Sequence, residues 1–392
     1  MFRDHQSHIL VEGGLRVNLK TIIVNDVAAS MGGALSILRQ FLRELKENEM
    51  AKSFRWIIFV SNDLVNEFSS EYIEIVKVDA KKWRKRIWWD TFGICKWLHD
   101  RHIEPSLAVS LMSVGFRKLD SPQIVYMHQS LPFGDFNEFM PFELKARFYR
   151  LAIWKWMKRT IRRDSSVVVQ TNWMKEAVSN KLRIPKEQIH VIRPVIEPFA
   201  GEELRCVNNK SYYLFYPAVA SASYKNHELL IKILSTIKKK KPELYPRITL
   251  AFTCNPDDNR ITKYYYRLSK KLSVDERIEW KGYLSKDEML REYIQSDIVL
   301  FPSKLETFGL PLIEAASMGK PIFVLDEPYA HDVLEGYKGV KYIPDDPAQW
   351  AEKLEETLAT RKRYFEKYEN EDSGGWSKFM NLLVSTCKLN EY

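Results

Sequence analysis

Short apolar segments alternate with helix-length segments along most of the chain. The first half contains seven apolar runs of strand length, predicted at residues 20–24, 56–60, 74–78, 107–111, 123–128, 166–170 and 190–192. A second series follows at residues 212–216, 248–252, 278–280, 298–301, 322–325 and 340–343. Strands that alternate with helices indicate parallel sheets covered by helices on both faces. The predicted fold class is therefore α/β.

Length and a proline-bearing segment divide the chain into two domains. The 392 residues exceed the usual size of a single domain, and the two prolines within residues 193–198 predict a linker. We therefore expect one doubly wound domain over residues 19–197 and another over residues 198–375. Residues 1–18 are polar and unpatterned, which predicts a leader or an extension outside the core.

The sequence ETFGLPLIE places Glu306 and Glu314 eight positions apart across a glycine and a proline. Pro311 lacks an N–H and disfavours a helical conformation at the preceding residue, so the two carboxylates cannot share one unbroken helix. Because proline suits the first turn of a helix, we predict a helix over residues 312–318 that ends near a glycine. Glu306 then lies in a loop, and Glu314 lies one turn inside the helix.

The segment between the two glutamates has the chemistry of an anion site. The amides of Thr307, Phe308, Gly309 and Leu310 approach a helix N-terminus, where unpaired N–H groups and the helix dipole attract phosphate. Carboxylates on either side can accept hydrogen bonds from sugar hydroxyls. The segment therefore suits a nucleotide sugar. The alternative interpretation is an exposed acid in front of a helix that carries an ordinary glutamate.

A longer pattern surrounds this segment, with Phe-Pro-Ser at residues 301–303, Glu-Thr-Phe-Gly-Leu-Pro at 306–311 and Glu-Ala at 314–315. It resembles the donor-site signature of the retaining GT-B glycosyltransferases of family 4. Upstream, the resemblance continues through residues 168–175, residues 225–227 and Gly282, and it covers most of the chain from about residue 19. It implies a GT-B fold, in which a Rossmann-like acceptor domain (residues 19–197) and a Rossmann-like nucleotide-sugar donor domain (residues 198–375) face each other across a cleft. It also implies that a C-terminal helix, within residues 376–392, crosses back to the first domain.

The resemblance suggests roles for residues on both sides of the cleft. His128, at the end of an apolar strand, would hydrogen-bond the donor sugar. Lys225 and Asn226 would bind the donor, and the lysine ammonium would neutralise charge on the leaving diphosphate. Gly32 and Gly33 would form a loop whose amides approach donor phosphate or acceptor.

In the second domain, Glu306 would bind the donor sugar and Glu314 the ribose, with the amides between them at the diphosphate. The predicted catalytic residues are thus His128, Glu306 and Lys225. Many members of the family also carry an arginine a few residues before the lysine. Here residues 220–223 read Ala-Ser-Ala-Ser, so the second phosphate-binding cation is unassigned.

No sequence feature calls for a metal ion. The chain contains no D-x-D sequence and no cluster of His, Cys and Asp with ligand spacing. We expect the helix dipole, the amides and Lys225 to act where other glycosyltransferases use a divalent ion. No cofactor is predicted, and the nucleotide-diphosphate sugar is expected to be the donor substrate.

Charge and aromatic residues concentrate in the first half of a chain whose net charge is +9. Residues 81–89 and 145–163 combine Lys and Arg with Trp, Tyr and Phe, a mixture typical of surfaces that bind anionic membranes. A solvated basic face above core aromatics is the alternative, especially for the second segment. Nucleic acid is not an expected partner because no recognised binding motif accompanies the charge.

The four cysteines lie far apart without a C-x-x-C sequence, which predicts a reduced, cytoplasmic protein. No uncharged apolar stretch approaches the ~20 residues of a membrane span. A peripheral position on the inner face of the membrane is compatible with both observations.

These observations lead to one main functional hypothesis. The chain is expected to be a retaining, metal-independent hexosyltransferase that acts on a lipid-linked or polysaccharide acceptor in surface-glycan synthesis. A nucleotide-sugar epimerase or hydrolase on a similar scaffold is one alternative. The other is a non-catalytic glycan-binding subunit of an assembly complex.

Overall fold

The computed structural model describes residues 19–30, 32–134, 139–195, 211–360, 364–369 and 374–388. The predicted leader and residues 196–198 of the predicted linker lie outside these ranges. All thirteen predicted strands are present, with ends that differ from the prediction by at most two residues. The strands are β1 (Lys20–Asn25), β2 (Phe54–Val60), β3 (Ile73–Lys77), β4 (Leu107–Ser110), β5 (Gln123–Tyr126), β6 (Ser166–Val169), β7 (Ile189–Val191), β8 (Tyr212–Tyr216), β9 (Ile248–Phe252), β10 (Ile278–Trp280), β11 (Ile298–Phe301), β12 (Ile322–Leu325) and β13 (Val340–Ile343).

The strands form two wholly parallel sheets, which confirms the predicted α/β fold. The first sheet has the order β3-β2-β1-β4-β5-β6-β7, and the second has the order β10-β9-β8-β11-β12-β13. In each sheet the order reverses beside the strand that comes first in the chain, between β1 and β4 and between β8 and β11. Ligands of open α/β sheets bind at the carboxyl ends of the strands that flank such a reversal.

Twelve α-helices are described, and they cover the faces of the two sheets. They are α1 (Gly32–Glu47), α2 (Trp83–Trp88), α3 (Ile94–His99), α4 (Leu144–Thr160), α5 (Asn172–Leu182), α6 (His227–Lys240), α7 (Arg260–Lys271), α8 (Lys286–Gln295), α9 (Leu310–Ser317), α10 (Pro328–Val333), α11 (Pro347–Thr360) and α12 (Gly375–Lys388). A single π-type turn at Trp89–Gly93 joins α2 to α3. No helix in the described part of the chain is long and apolar enough to cross a bilayer.

Two local predictions need correction. Gly32 and Gly33 were expected in a loop, but they open helix α1. The amides of a first helical turn have no partner within the helix itself. His128 was expected within a strand, but β5 ends at Tyr126, so His128 lies in the loop that follows.

Helix α12 packs against the first domain although it follows the second one in the chain. Trp376 and Phe379 are buried beside Phe41 of α1, and Trp376 stacks on Tyr126 with ring centroids 5.9 Å apart. Burying an aromatic side chain of this size stabilises a fold by about 2 to 3 kcal/mol before packing contributions. The last described helix therefore completes the core of the first domain.

Hydrogen bonds and a small apolar cluster connect the two domains. The Trp173 amide donates to the Asp332 carboxylate at 2.7 Å, and the Thr171 hydroxyl donates to the Thr307 carbonyl at 2.9 Å. The Ser223 hydroxyl and amide both bond the buried carboxylate of Glu143. The carboxyl ends of the two sheets are thus held close together.

We predict that Trp376→Ala lowers the free energy of unfolding of the first domain by about 3 to 5 kcal/mol, because it removes a large buried ring. Urea unfolding followed by circular dichroism measures this loss. Trp88→Ala is the matched control, since Trp88 is 54% exposed, and it should cost less than about 1 kcal/mol. Equal losses in the two variants would contradict the assignment of α12 to the first core.

Candidate functional site

The loop after β8 brings Lys225 to the carboxyl edge of the second sheet. A single 3₁₀ turn, Ser223–Lys225, precedes Asn226, which adopts a left-handed conformation with φ 57° and caps helix α6. The Tyr216 hydroxyl donates to the Lys225 carbonyl at 2.6 Å, so the strand end holds the turn in place. The Asn226 side chain donates to Asp345 at 3.1 Å. The Asn226 side chain, which was predicted to bind the donor, is therefore hydrogen-bonded to another residue of the protein in this structure.

The neighbouring loop, after β11, leads into helix α9. Gly309 has φ 81° and caps the helix, and a glycine is required there because other residues are strained at such an angle. Leu310 is the first helical residue, and Pro311 is the second. The predicted helix is confirmed, although it starts two residues earlier and ends one residue earlier. Among the described residues, no hydrogen bond engages the amides of Thr307, Phe308, Gly309 or Leu310.

Lys225 and Glu306 form an ion pair between these two loops. The lysine Nζ lies 2.5 Å from a Glu306 carboxylate oxygen, and the two side chains are only 18% and 15% exposed. Burial alone would lower the pKa of the Lys225 ammonium. The Glu306 charge and hydrogen bond, with a smaller effect of Tyr224, outweigh burial and raise that pKa above its usual value. Lys225 therefore carries its charge at neutral pH.

Asp345 links the same two loops from the other side. Its carboxylate accepts the Asn226 bond and lies 2.5 Å from the Nζ of Lys304. The Lys304 amide also donates to the Tyr224 carbonyl at 2.8 Å. Lys304 is the only cation within residues 301–315, and its pairing with Asp345 means that it does not replace the missing arginine in this conformation.

Glu314 lies on helix α9, one turn from its start, and is half-buried. Burial raises the pKa of this carboxyl, against the opposing effects of a hydrogen bond from Tyr293 and the charge of Lys286. The Tyr293 hydroxyl donates to one carboxylate oxygen at 2.7 Å.

Phe308 differs from the other predicted site residues because it is buried in the core, where only 2% of the residue is exposed. The side chain of Phe308 is therefore closed to a ligand.

His128 lies at the carboxyl edge of the first sheet. Its amide donates to the Ser113 hydroxyl at 3.0 Å, and Ser113 itself adopts a left-handed conformation with φ 62°. Burial lowers the pKa of the His128 ring to about 4, so the ring is neutral at pH 7. A cavity of about 200 Å³ adjoins the ring, and Ala34 of helix α1 also lines it. Helix α1, which the two glycines open, and His128 therefore border one cavity.

Contacts across the domain boundary bring the two halves of the site together. Leu131, three residues after His128, packs in a buried cluster with Leu305, which precedes Glu306. Tyr224, the neighbour of Lys225, packs against the same cluster. The loops that carry His128, Lys225 and Glu306 thus contact one another, although these residues lie 81 to 178 positions apart along the chain.

Two polar contacts at this boundary were not predicted. Glu143 accepts from the amide of Met140 at 2.7 Å as well as from Ser223, and Asp332 accepts from Trp173. Neither acid carries a local sequence signal, because each partner in the other domain is at least 80 residues away. Trp173 lies within residues 168–175, which resemble the family, and its amide connects this segment to the second domain.

Comparison with known proteins supports the resemblance. A family model described as glycosyl transferases group 1 matches residues 203–371, and one described as glycosyltransferase family 4 matches residues 74–198. A D-inositol 3-phosphate glycosyltransferase from Corynebacterium diphtheriae is 28% identical over 34% of this chain and 32% of its own length. The O-antigen chain mannosyltransferase RfbU from Salmonella typhimurium is 24% identical over 59% of this chain and 64% of its own. The chain thus spans less than two thirds of either relative.

Solved structures share the fold at low sequence identity. A structure of Anabaena Alr3699/HepE in complex with UDP and glucose superposes with a TM-score of 0.60 at 13% identity, covering 94% of this chain and 97% of that one. At this identity the similarity establishes the two-domain architecture. Within the described ranges of the present chain, no group of three or more His, Cys, Asp and Glu side chains has the arrangement of a metal site.

The buried His227 predicts a pH dependence of stability. Its Nε2 lies 3.1 Å from the Ala218 carbonyl, which can only accept, so Nε2 carries the proton. Burial lowers the ring pKa to about 3, although the Ala218 bond opposes this, and the Lys225 charge lowers it further. The unfolded chain, with a histidine pKa of about 6.5, therefore binds a proton that the folded protein does not. Stability is lost as the pH falls below that value.

We expect wild type to lose about 1.4 kcal/mol more than His227→Gln between pH 7 and pH 5.5, measured by urea unfolding. Between pH 7.5 and pH 8.5, where the unfolded histidine is also neutral, the two proteins should change alike. Parallel losses in the acidic interval would show that His227 is not the source.

Proposed function

We propose that this chain, which belongs to the group 1 glycosyltransferases of GT-B fold, transfers a sugar from a nucleoside diphosphate donor to a growing surface glycan. The observation that carries the proposal is the Lys225–Glu306 ion pair, which lies where the order of the second sheet reverses, beside the unpaired amides before α9. The relative RfbU is named as an O-antigen mannosyltransferase, and HepE binds UDP and glucose. The first description supports a surface-glycan product, and the second supports a nucleotide-sugar donor.

The donor diphosphate would lie between the Lys225 ammonium and the amides of residues 307–310. These donors are held by the fold before the ligand arrives, so no reorganisation is needed when charge develops on the leaving group. On binding, the diphosphate would share the ammonium with Glu306. The Glu306 carboxylate would then be available to accept a hydroxyl of the donor hexose, while Glu314 accepts the ribose hydroxyls.

The reaction would retain the configuration of the donor sugar. In this proposal, the bond from the anomeric carbon to the diphosphate breaks as a bond to the acceptor oxygen forms on the same face. The acceptor proton passes to the leaving phosphate oxygen. His128 is neutral at pH 7 because of its lowered pKa, so its role would be to hydrogen-bond the sugar. The positive charges in the site are protein groups, and we propose that transfer needs no metal ion.

We also propose that the first domain binds an anionic membrane from the cytoplasmic side, where the acceptor would be lipid-linked. The two basic and aromatic segments form one surface, since the rings of Trp83 on α2 and Tyr149 on α4 lie 6.2 Å apart. Around them, Trp88, Leu144 and Phe148 are 54%, 68% and 73% exposed. Exposed aromatic and aliphatic side chains among lysines and arginines suit the interface of an anionic bilayer.

The central prediction concerns Lys225 and Glu306. We expect Lys225→Met and Glu306→Gln each to lower the rate of transfer by about 100-fold or more, because a charge-stabilising group in the transition state is lost. The measurement is release of nucleoside diphosphate in the presence of lipid-linked glycan acceptors extracted from membranes, using a panel of UDP-, GDP-, ADP- and dTDP-sugars.

The control for these variants is Lys353→Met. Lys353 forms a surface pair with Glu356 at 2.9 Å, and its loss should leave the transfer rate within twofold of wild type. Donor consumption that is independent of acceptor would point to the epimerase or hydrolase alternative. If Lys225→Met and Glu306→Gln retain transfer within a few-fold of wild type, the proposed donor site is wrong.

The membrane proposal has its own test. Replacing both Trp88 and Phe148 with serine should lower the affinity for vesicles of 30% phosphatidylglycerol, measured by co-sedimentation, by about 30-fold or more, because about 1 to 3 kcal/mol of apolar burial is lost at each position. Exposed Tyr283, on the second domain, provides the matched control as Tyr283→Ser. Binding that is insensitive to the first pair of changes, or to the anionic lipid, would refute the proposed surface.

A further inference from the structure

A groove of about 510 Å³ lies at the edge of the first sheet, where strand β7, helix α5 and helix α12 border it. The two helices lie on opposite faces of the sheet, since α5 packs in one core cluster with Ile189 and α12 packs in another with Ile192. None of the described lining residues belongs to the donor loops or to the proposed membrane surface. The groove is therefore a separate feature of the first domain.

The outer side of β7 leaves backbone groups without a partner strand. β7 is the last strand in the order of the first sheet, and within the described ranges it pairs with β6 alone. The Ile192 amide donates to the Val169 carbonyl of β6 at 2.8 Å. Neighbouring residues of a strand direct their N–H groups to opposite sides. The N–H of Val191, which lines the groove, therefore points away from β6.

Three lysines surround the groove, and one acid accompanies them. Lys175 on α5, Lys186 in the turn before β7 and Lys378 on α12 are the cations, and Glu187 is the acid. Burial and the Lys175 charge lower the pKa of the His190 ring, which also lines the groove, so this ring is neutral at pH 7. Three positive charges against one negative charge leave the lining with a net charge of +2.

Two of these charges are available to a ligand at little cost. The Lys175 ammonium has no hydrogen-bond or ion-pair partner in the part of the chain that the structure describes. Lys186 lies 2.6 Å from a Glu176 carboxylate oxygen, and the two side chains are 51% and 53% exposed. Such an exposed pair contributes at most about 1 kcal/mol. A more highly charged anion can therefore replace Glu176.

The composition of the groove favours a phosphate group over other anions. Lysine ammoniums act as point charges that bind phosphate, whereas arginine is the usual partner of planar carboxylates, and no described lining residue is an arginine. The described lining also contains no Phe, Tyr or Trp, the side chains on which nucleic-acid bases stack. The volume lies within the ~300 to 1,000 Å³ of small-molecule sites. A small phosphate ester meets these conditions.

We propose that this groove is a second anion site, separate from the donor site, which binds the phosphate group of a small phosphate ester through Lys175, Lys378 and the Val191 amide. The ester is either a soluble molecule or a phospholipid headgroup. Asn172, which lines the groove, also donates to Asp332 of the second domain at 3.5 Å, so the ligand would be bound next to a contact between the domains. The proposal does not depend on the transferase function.

Calorimetric titration with glycerol 3-phosphate tests the site without any sugar donor. Low ionic strength is required because salt screens exposed charges. Wild type should bind the ester but not glycerol, and Lys175→Gln and Lys378→Gln should each weaken binding by about fivefold or more, because a charge-assisted hydrogen bond is lost. Lys96→Gln, an exposed change elsewhere on the first domain, should bind as wild type does. Equal binding by wild type and Lys175→Gln would overturn the proposal.

The Lys225→Met variant separates this groove from the donor site. It should bind glycerol 3-phosphate within twofold of wild type, because Lys225 does not line the groove. If Lys225→Met abolishes the binding, the ester occupies the donor site and the second site is refuted. Retained ester binding in a protein that transfers no sugar would refute the transferase function alone.

The His190 ring reports on the location of the bound phosphate. A nearby anion opposes the Lys175 charge, so saturating glycerol 3-phosphate should raise the pKa of this ring to about 6.5 or above. Proton NMR over a pH series measures it, with His190→Gln used to assign the signal. An unchanged His190 pKa in the presence of bound ester would overturn the assignment to this groove.

Vesicles of phosphatidylglycerol distinguish the two sources of the phosphate. Binding of the soluble ester assigns the groove to soluble ligands. If the soluble ester does not bind, a vesicle affinity that falls about fivefold in Lys175→Gln and in Lys378→Gln, but not in Lys96→Gln, assigns it to phospholipid headgroups. If neither ligand responds to the two lysines of the groove, the proposal is wrong.

Discussion

The ion pair between Lys225 and Glu306 is the interaction on which the site depends. It joins the loop after β8 to the loop after β11, the two strands that flank the reversal of order in the second sheet. Removing one partner of a largely buried pair leaves an uncompensated charge, which is strongly destabilising. The pair also holds a positive charge beside unpaired amides. In the free protein the carboxylate satisfies the lysine, and we infer that an anionic donor would displace part of that interaction.

The site also requires the two domains to meet at the carboxyl edges of their sheets. Leu131, Leu305 and Tyr224 pack together, and the bonds from Glu143 to Ser223 and from Trp173 to Asp332 cross the boundary. Helix α12, the last described segment, is anchored in the core of the first domain. In the proposed reaction, these contacts would determine how the cavity beside His128 faces the donor loops. Separate domains could bind their ligands but could not bring two sugars together.

The sequence predicts the strands well because each one is a short, buried, apolar run in a parallel sheet, as in Ile322–Leu325. It also predicts helix α9, because Gly309 and Pro311 determine where a helix can begin. The cavity beside His128 was not predicted, because three of its lining residues, Asp26, Arg86 and Trp156, lie 60 and 70 positions apart on separate elements, and no local pattern relates them. The same holds for Glu143 and Ser223. Long-range pairs depend on packing between elements, and a single sequence does not encode them in a readable spacing.

The most direct test of the central claim is calorimetric titration of the protein with UDP, GDP, ADP and dTDP in the presence of a chelator. If Lys225 and the amides before α9 form a metal-independent diphosphate site, at least one nucleotide binds wild type and Lys353→Met alike, and Lys225→Met weakens that binding by about tenfold or more. If none of the four binds, or if Lys225→Met binds as tightly as wild type, the donor site lies elsewhere and the account is wrong.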